Sequence, residues 1–259
     1  MKQIKKVIKG LPILRDVLKS IHRLVFKRSS FTDFWINKYV HDGECTVVQV
    51  GSNDGFTADP ISNLILRKKR WKVLFVEPVP YLFEKLKKNY KELSRFQFAN
   101  VAVNDGSAQS FYFVKQDASL KIKELPIWYD QLGSFNREHI LNHLDGIFEP
   151  YIEELNVNGL TLDQLFTKYN ITNLTLLHID TEGYDWKILS QLDLKKNCPV
   201  IILFEHKHLT KIERGDSIRF LNGNYFIFDF SGDFLCIRKE VVSSSDLKEL
   251  RKSGKNLTV

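Results

Sequence analysis

The sequence predicts an α/β fold built on a mostly parallel, seven-stranded sheet with helices on both faces and a terminal antiparallel hairpin. Three observations carry this expectation. Short apolar, β-branched runs alternate with helical stretches, the pattern of strands buried on both faces of a parallel sheet. The first run, Thr46-Val47-Val48-Gln49-Val50, enters a glycine-bounded turn, Gly51-Ser52-Asn53-Asp54-Gly55. The last two runs, Tyr225–Phe230 and 234–238, flank Ser231-Gly232-Asp233, which reads as a hairpin.

Taken in order, residues 1–30 read as a separate basic segment. Within it, 3–28 alternate apolar and basic positions at helical spacing, with Val17, Leu18, Ile21 and Val25 on one face and a break at Gly10-Leu11-Pro12. Docking on the main domain, contact with a membrane surface and pairing with a partner helix all suit such a segment. The main domain, 31–240, starts its regular pattern at strand 46–50. A helix over 57–69 and a strand over 72–77 follow, and the helix over 80–90 has Pro80 in its first turn. Residues 96–103 and 109–114 read as strands. The stretch 115–160 breaks the alternation; rich in Trp, Tyr, Phe, His and Asn, it reads as an insertion over the strand ends on the substrate side. Helix 162–169, strand 174–179, helix 184–192 and strand 199–204 restore the pattern. Residues 241–259 read as a basic tail.

Composition narrows the classes. The 259 residues, 43% of them hydrophobic, suffice for one large core. Cys45, Cys198 and Cys236 form no CxxC pair, so the sequence offers no disulfide framework or zinc site, and a reducing compartment is expected. No apolar run reaches the roughly 18 residues of a membrane span, and charges interrupt the N-terminus as they would not in a secretory signal. The expected location is the cytoplasm; peripheral contact at the inner membrane face belongs to the membrane-surface reading of residues 3–28, and docking on the main domain is the favoured reading. The net charge of +7 gathers at the two ends.

Chemistry concentrates in three blocks. In the first, Gly51 and Gly55 bound a strand-to-helix turn where backbone can approach a ligand closely and free amides can meet a carboxylate or phosphate. In the second, Glu77 ends the next strand, where an acid in a nucleoside-binding α/β fold accepts hydrogen bonds from ribose hydroxyls. The spacing G-S-N-D-G differs from the G-x-G-x-x-G of dinucleotide-binding dehydrogenases, which makes an NAD-dependent oxidoreductase the weakest reading. The third block, Leu177-His178-Ile179-Asp180-Thr181-Glu182-Gly183-Tyr184-Asp185, ends a later strand and places Asp180 and Glu182 at the ligand crevice.

These blocks occur in the order VxxGxxxG from Val48, VEPxPxxFxxLxxN from Val76 to Asn89, TLDxL from Thr161, and IDTEGYDxxIL from Ile179 to Leu189. A strand ending in Phe204-Glu205 follows. With Gly133-Ser134-Phe135 in the middle segment, the set resembles the FkbM family of methyltransferases over about residues 45–206. His178 stands where the family usually has Lys, and Ser190 where it usually has Gly.

The resemblance implies a Rossmann-like class I methyltransferase fold and S-adenosylmethionine as cofactor. It also implies methyl transfer to an oxygen, typically a hydroxyl of a sugar, glycan or other small molecule. Gly51, Ser52, Asn53, Asp54 and Gly55 would hold the methionine portion, Glu77 and Pro78 the ribose, and Val101 and Ala102 the adenine, with Asp180 and Glu182 nearby. Asp180, Glu205, His206 and His208 are the candidate bases, because a sugar hydroxyl is a poor nucleophile at neutral pH. Asp180, Glu182 and Glu205 could instead supply hard oxygen ligands to a divalent metal such as Mg²⁺. Trp128, Tyr129, Ser134, Phe135 and His139 of the insertion are the candidate acceptor pocket, since aromatic faces suit sugar rings. A nucleic-acid methyltransferase, suggested by the basic ends, would need an N-P-P-Y-like motif or an RNA-binding module, and neither is present; no nucleic-acid partner is expected. A nucleoside-binding scaffold without catalysis fits poorly with an intact Gly51, Glu77 and Asp180. Oligomeric state is not legible.

Overall fold

In a computed structural model the described residues are 31–41, 43–91, 94–230 and 232–258; the amphipathic segment expected over 3–28 lies outside them. Helix α1 covers 31–39. There follow β1 (Cys45–Val50), α2 (Ser62–Arg67), β2 (Trp71–Val76), α3 (Pro80–Tyr90), β3 (Phe96–Ala99), β4 (Ala102–Val103) and β5 (Ala108–Val114). The middle segment holds α4 (Ala118–Lys121), α5 (Arg137–Leu141) and β6 (Ile152–Leu160). Next come α6 (Leu162–Lys168), β7 (Leu174–Ile179), α7 (Asp185–Leu189), β8 (Ile201–Glu205) and α8 (Lys211–Leu221). The chain closes with β9 (Tyr225–Phe230), β10 (Asp233–Arg238), α9 (Ser244–Ser253) and β11 (Lys255–Asn256).

The main sheet runs β11-β9-β10-β8-β7-β1-β2-β3. Strands β3, β2, β1, β7 and β8 are parallel; the hairpin β9–β10 and the two-residue β11 add the antiparallel edge to this seven-stranded plan. The β1 run is mostly apolar because both faces are covered. Val48, Leu74, Leu177 and Phe204 pack under α6 and α7, while Val47, Phe75, Leu176 and Leu203 pack against Trp35 of α1, Leu64 of α2 and Leu86 of α3. The strand order reverses at β1 between β2 and β7, and a ligand crevice forms outside the carboxyl ends at such a point.

Four expectations from the sequence are corrected in detail. The helix expected over 57–69 is only α2, because Asp59 accepts from the amides of Ile61 and Ser62 (2.7 and 2.9 Å) and holds a turn in its place. The strand expected over 96–103 breaks after Ala99, where Asn100 Nδ2 donates to the carbonyls of Glu77 and Pro78. Residues 102–103 then join a second sheet, order β4-β6-β5, whose long strand β6 lies inside the stretch expected as an insertion. Finally, 241–258 is not a loose tail. Ser243 caps α9, Leu250 is fully buried, and Asp246 accepts from Lys38 Nζ (2.6 Å) and Tyr39 Oη (2.7 Å) of α1. Among the described residues no helix is long and apolar enough to cross a membrane.

Candidate active site

The crevice is built first from backbone. The amides of Gly51 and Ser52 both donate to the Val76 carbonyl at 3.0 Å, and the Asp180 amide donates to the Val50 carbonyl at 3.0 Å, so the ends of β1, β2 and β7 are laced together. Gly51 has φ +79°, and a Cβ on it would stand 1.8 Å from the Asp180 carbonyl oxygen. Only glycine lets the two strand ends meet so closely.

Glu77 closes this side. Its carboxylate accepts from the Asn53 amide through Oε2 and from the Val79 amide through Oε1, both at 2.8 Å. The residue is 2% exposed, and burial pushes its carboxyl up to about 7 against the pull of those two amides. Each oxygen keeps a second lone pair, and the side chain lines a cleft shared with Gly51, Asn53, Pro78, Val101, Ala102, Phe135, Asp180 and Glu182. A buried carboxylate with unused acceptor capacity at the edge of an apolar wall fits a ribose diol and a purine. The residues present therefore fit S-adenosylmethionine, and Gly51, Asn53, Glu77, Pro78, Val101 and Ala102 are those that would hold it.

Three residues of the expected cofactor set do not line the cleft. Ser52 is buried in the sheet, donating to the Gln49 carbonyl and accepting from the Val76 amide. Asp54 folds the loop by accepting from the amides of Phe56 and Thr57. Gly55, at φ +73°, makes room for helix α3: a Cβ there would lie 2.4 Å from the Tyr90 ring. Their work is to shape the turn.

The other side of the crevice is built from side chains. Buried Asp185 accepts from the amides of Thr181 and Gly183, which folds the turn after β7 and sets Glu182 at φ +53°. Glu182 Oε2 then meets His139 Nε2 at 3.0 Å and His208 Nε2 at 3.2 Å. His208 Nε2 also lies 3.8 Å from Glu205 Oε2. Burial raises Glu182, but the His139 hydrogen bond and neighbouring charges outweigh it and hold the carboxyl below its usual range. Glu205 is pushed up to about 11, by burial first and then by the charges of Asp180 and Glu182. Burial takes His208 down to about 4 despite the Glu182 charge.

Of the candidate bases, Asp180, Glu205 and His208 share this region. His206 does not: its Nε2 lies 2.9 Å from Asp229 Oδ1, and its ring stacks on Phe234 at 3.9 Å. The backbone turns it there, since the His206 and Lys207 amides both reach the Gly232 carbonyl. The metal set expected as Asp180, Glu182 and Glu205 is also altered. Among the described residues the potential ligands gather as Glu182, Glu205 and His208, and as His139, His143 and His208; Asp180 is in neither group.

The expected acceptor residues divide. Phe135 lines the cleft, edge-on to Phe111 (5.1 Å) and against Tyr184 (4.6 Å). His139 meets Glu182 as above, and Ser134 is buried behind it, 3.5 Å from the Glu182 carbonyl. Trp128 lies edge-on to His143 (5.9 Å) and packs with Ile140 and Phe148. Tyr129 points away, its hydroxyl on the Gln116 carbonyl, and packs in a satellite core. Sequence reading missed His143, whose spacing from His139 was a usable signal, and Gln131, which lines the cleft and donates to the Thr57 carbonyl at 2.6 Å. Together with the Lys85–Asp130 ion pair (2.9 Å), that bond pins the middle segment to the β1 and β2 ends.

The architecture is a cleft at the switch point of a parallel sheet, lined by the buried acid Glu77. The family model described as Methyltransferase FkbM domain matches residues 49–234, and the chain belongs to that family. It is a methyltransferase that depends on S-adenosylmethionine. No curated protein matches the sequence. Among solved structures it is similar to a fibrillarin/Nop5p complex at 11% identity and TM-score 0.41, over 76% of this chain and 73% of that one. It is also similar to the Methanococcus jannaschii fibrillarin pre-rRNA processing protein at 10% and 0.39, over 76% of this chain and 68% of that one. An S-adenosylmethionine-dependent methyltransferase from Aquifex aeolicus follows at 9% and 0.36, over 80% of this chain and 88% of that one. At these TM-scores the likenesses carry no further argument.

Proposed function

We propose that the enzyme methylates an oxygen, a hydroxyl of a sugar, a glycan or another small molecule. The observation that carries this reading is the placement of Asp180 and Glu182, from one turn, on the same cleft as Gly51 and Glu77, opposite the aromatic wall of Phe111 and Phe135. When bound, the cofactor supplies an electrophilic methyl group on a sulfonium. What remains for the chain is to align a weak nucleophile, remove its proton and keep water out. A carboxylate suits the second task and an apolar aromatic wall the first and third. Asp180 takes the hydroxyl proton in this reading, and Phe135 offers a face to an acceptor ring. The middle segment, tied down through Gln131 and Asp130, covers the crevice.

The test is incubation with isotopically labelled methyl donor and a panel of sugars and polar lipids, with the product position read by NMR. Label on a hydroxyl oxygen supports the reading; label on nitrogen or carbon overturns it. Asp180→Asn should lower turnover by about 100-fold or more while donor affinity stays within roughly twofold. Wild-type turnover in that variant would remove Asp180 as the base.

A further inference from the structure

We propose that Glu182, Glu205 and His208 form a binding site for one divalent transition-metal ion, with His139 and His143 as its outer wall. Their ligand atoms lie within 4.8 Å of one another, Glu182 coming from the turn after β7 and Glu205 and His208 from the end of β8. Ligands about 2.0–2.2 Å from a common ion stand roughly 3.0–3.5 Å apart when adjacent. The His208–Glu182 separation of 3.2 Å falls in that range and the His208–Glu205 separation of 3.8 Å lies just above it.

Two observations separate this from an incidental acidic cluster. Glu205 is 8% exposed, and its Oε2 accepts no hydrogen bond among the described residues, although it faces His208 and Glu182. A buried carboxylate oxygen without a donor is costly, and a cation beside it removes that cost. The two wall histidines, moreover, are held in place. His143 Nδ1 lies 2.7 Å from the His139 carbonyl, which fixes the proton on Nδ1 and leaves the Nε2 lone pair available. His139 in turn contacts Glu182 at 3.0 Å, the outer partner that orients a ligating carboxylate. Two carboxylates with imidazole favour an ion that accepts both donor types, such as Mn²⁺, Fe²⁺ or Zn²⁺, over Mg²⁺ or Ca²⁺. Glu182 also lines the donor cleft, so the ion would stand at its acceptor end. A part for the ion in polarising the acceptor O–H rests on the hydroxyl reading above; binding itself does not.

The experiment titrates full-length, chelator-stripped protein with Mn²⁺ and follows the free-ion EPR signal, in the absence of donor and acceptor. One equivalent per chain should bind, at least about tenfold more tightly than Mg²⁺ in competition. Glu205→Gln, which keeps the side-chain shape, and His208→Ala should each weaken Mn²⁺ by about tenfold or more. Mn²⁺ should also raise the melting temperature of the wild type and not of Glu205→Gln. Absence of a saturable equivalent, or Mn²⁺ affinity unchanged in Glu205→Gln, overturns the site. Should His208→Ala fail to fold, Glu205→Gln decides alone. No methyl transfer enters the readout, so a failed metal site and a failed hydroxyl reading are distinguishable.

Discussion

The two sides of the crevice are made by different means. The donor side is backbone: the amides of Gly51, Ser52, Asn53 and Val79 are each bound, and a single side chain, Glu77, gathers two of them. The acceptor side is a meeting of charged and imidazole side chains, His139, Glu182, Glu205 and His208, that hold one another. A backbone-built surface is rigid because its geometry is part of the sheet. A side-chain-built one can change specificity by single substitutions without disturbing the fold.

The largest effect expected from this contrast is at Gly51. Gly51→Ala places a methyl 1.8 Å from the Asp180 carbonyl at φ +79°, and should destabilise the fold by on the order of 3 kcal/mol or more. Calorimetric melting checks it; a melting temperature within a degree or two of wild type would mean the strand ends are not locked. Next is Glu77. Glu77→Gln should weaken donor binding by roughly 1.5–3 kcal/mol, through loss of charged hydrogen bonds to the ribose. Because burial raises this carboxyl from 4.5 to about 7, its charged form is penalised in the folded state. The sign follows: stability contributed by the raised value is present at low pH and lost as pH rises through about 7. Glu77→Gln keeps an acceptor for only one of the Asn53 and Val79 amides and sets its own NH2 against the other. It should therefore melt lower than wild type at acid pH, by less above neutrality, and bind donor less well. Ribose hydroxyls favour the carboxylate, so wild-type donor affinity should rise with pH across about 7 and the variant's should stay flat. Calorimetric titration at several pH values would reveal a flat wild-type profile if the assignment is wrong. The smallest effect is local. Thr161→Ala removes the reciprocal cap with Gln164 at the start of α6 and should cost about 1 kcal/mol, with donor affinity unchanged.

The same contrast explains what could be read in advance. The donor side is legible because its parts are contiguous: a strand, a glycine turn and an acid at the next strand end are local patterns with a local physical cause. The alternating strands and the closing hairpin were legible for the same reason. Even there, Ser52 and Gly55 were in the right turn with the wrong task, since burial beneath the loop depends on Val76 and Tyr90, which arrive from elsewhere. The acceptor side brings together residues 139–143, 182 and 205–208, and no spacing rule connects them. His206 and His208 are two apart and equally plausible on paper; a backbone contact with Gly232 separates their fates. Strand β6 was hidden because only Val157 and Gly159 of its nine residues are buried, leaving a sequence without a continuous apolar run or strict alternation.

Strand β1 lies inside the sheet, yet its two neighbours are made at very different times. Strand β2 follows within one helix, but on the opposite flank the Thr46 amide waits for Thr175 Oγ1, 129 positions further on. At translation rates of about 5–20 residues per second, that interval is roughly 6–26 seconds. Throughout it, an edge bearing Val47, Val48 and Val50 stands open on the nascent chain, apolar on both faces and free to pair with any other extended segment. The topology that puts β1 between strands so far apart in the chain therefore makes synthesis its most vulnerable moment, and makes expression yield depend on how well that edge is shielded until residue 179 emerges.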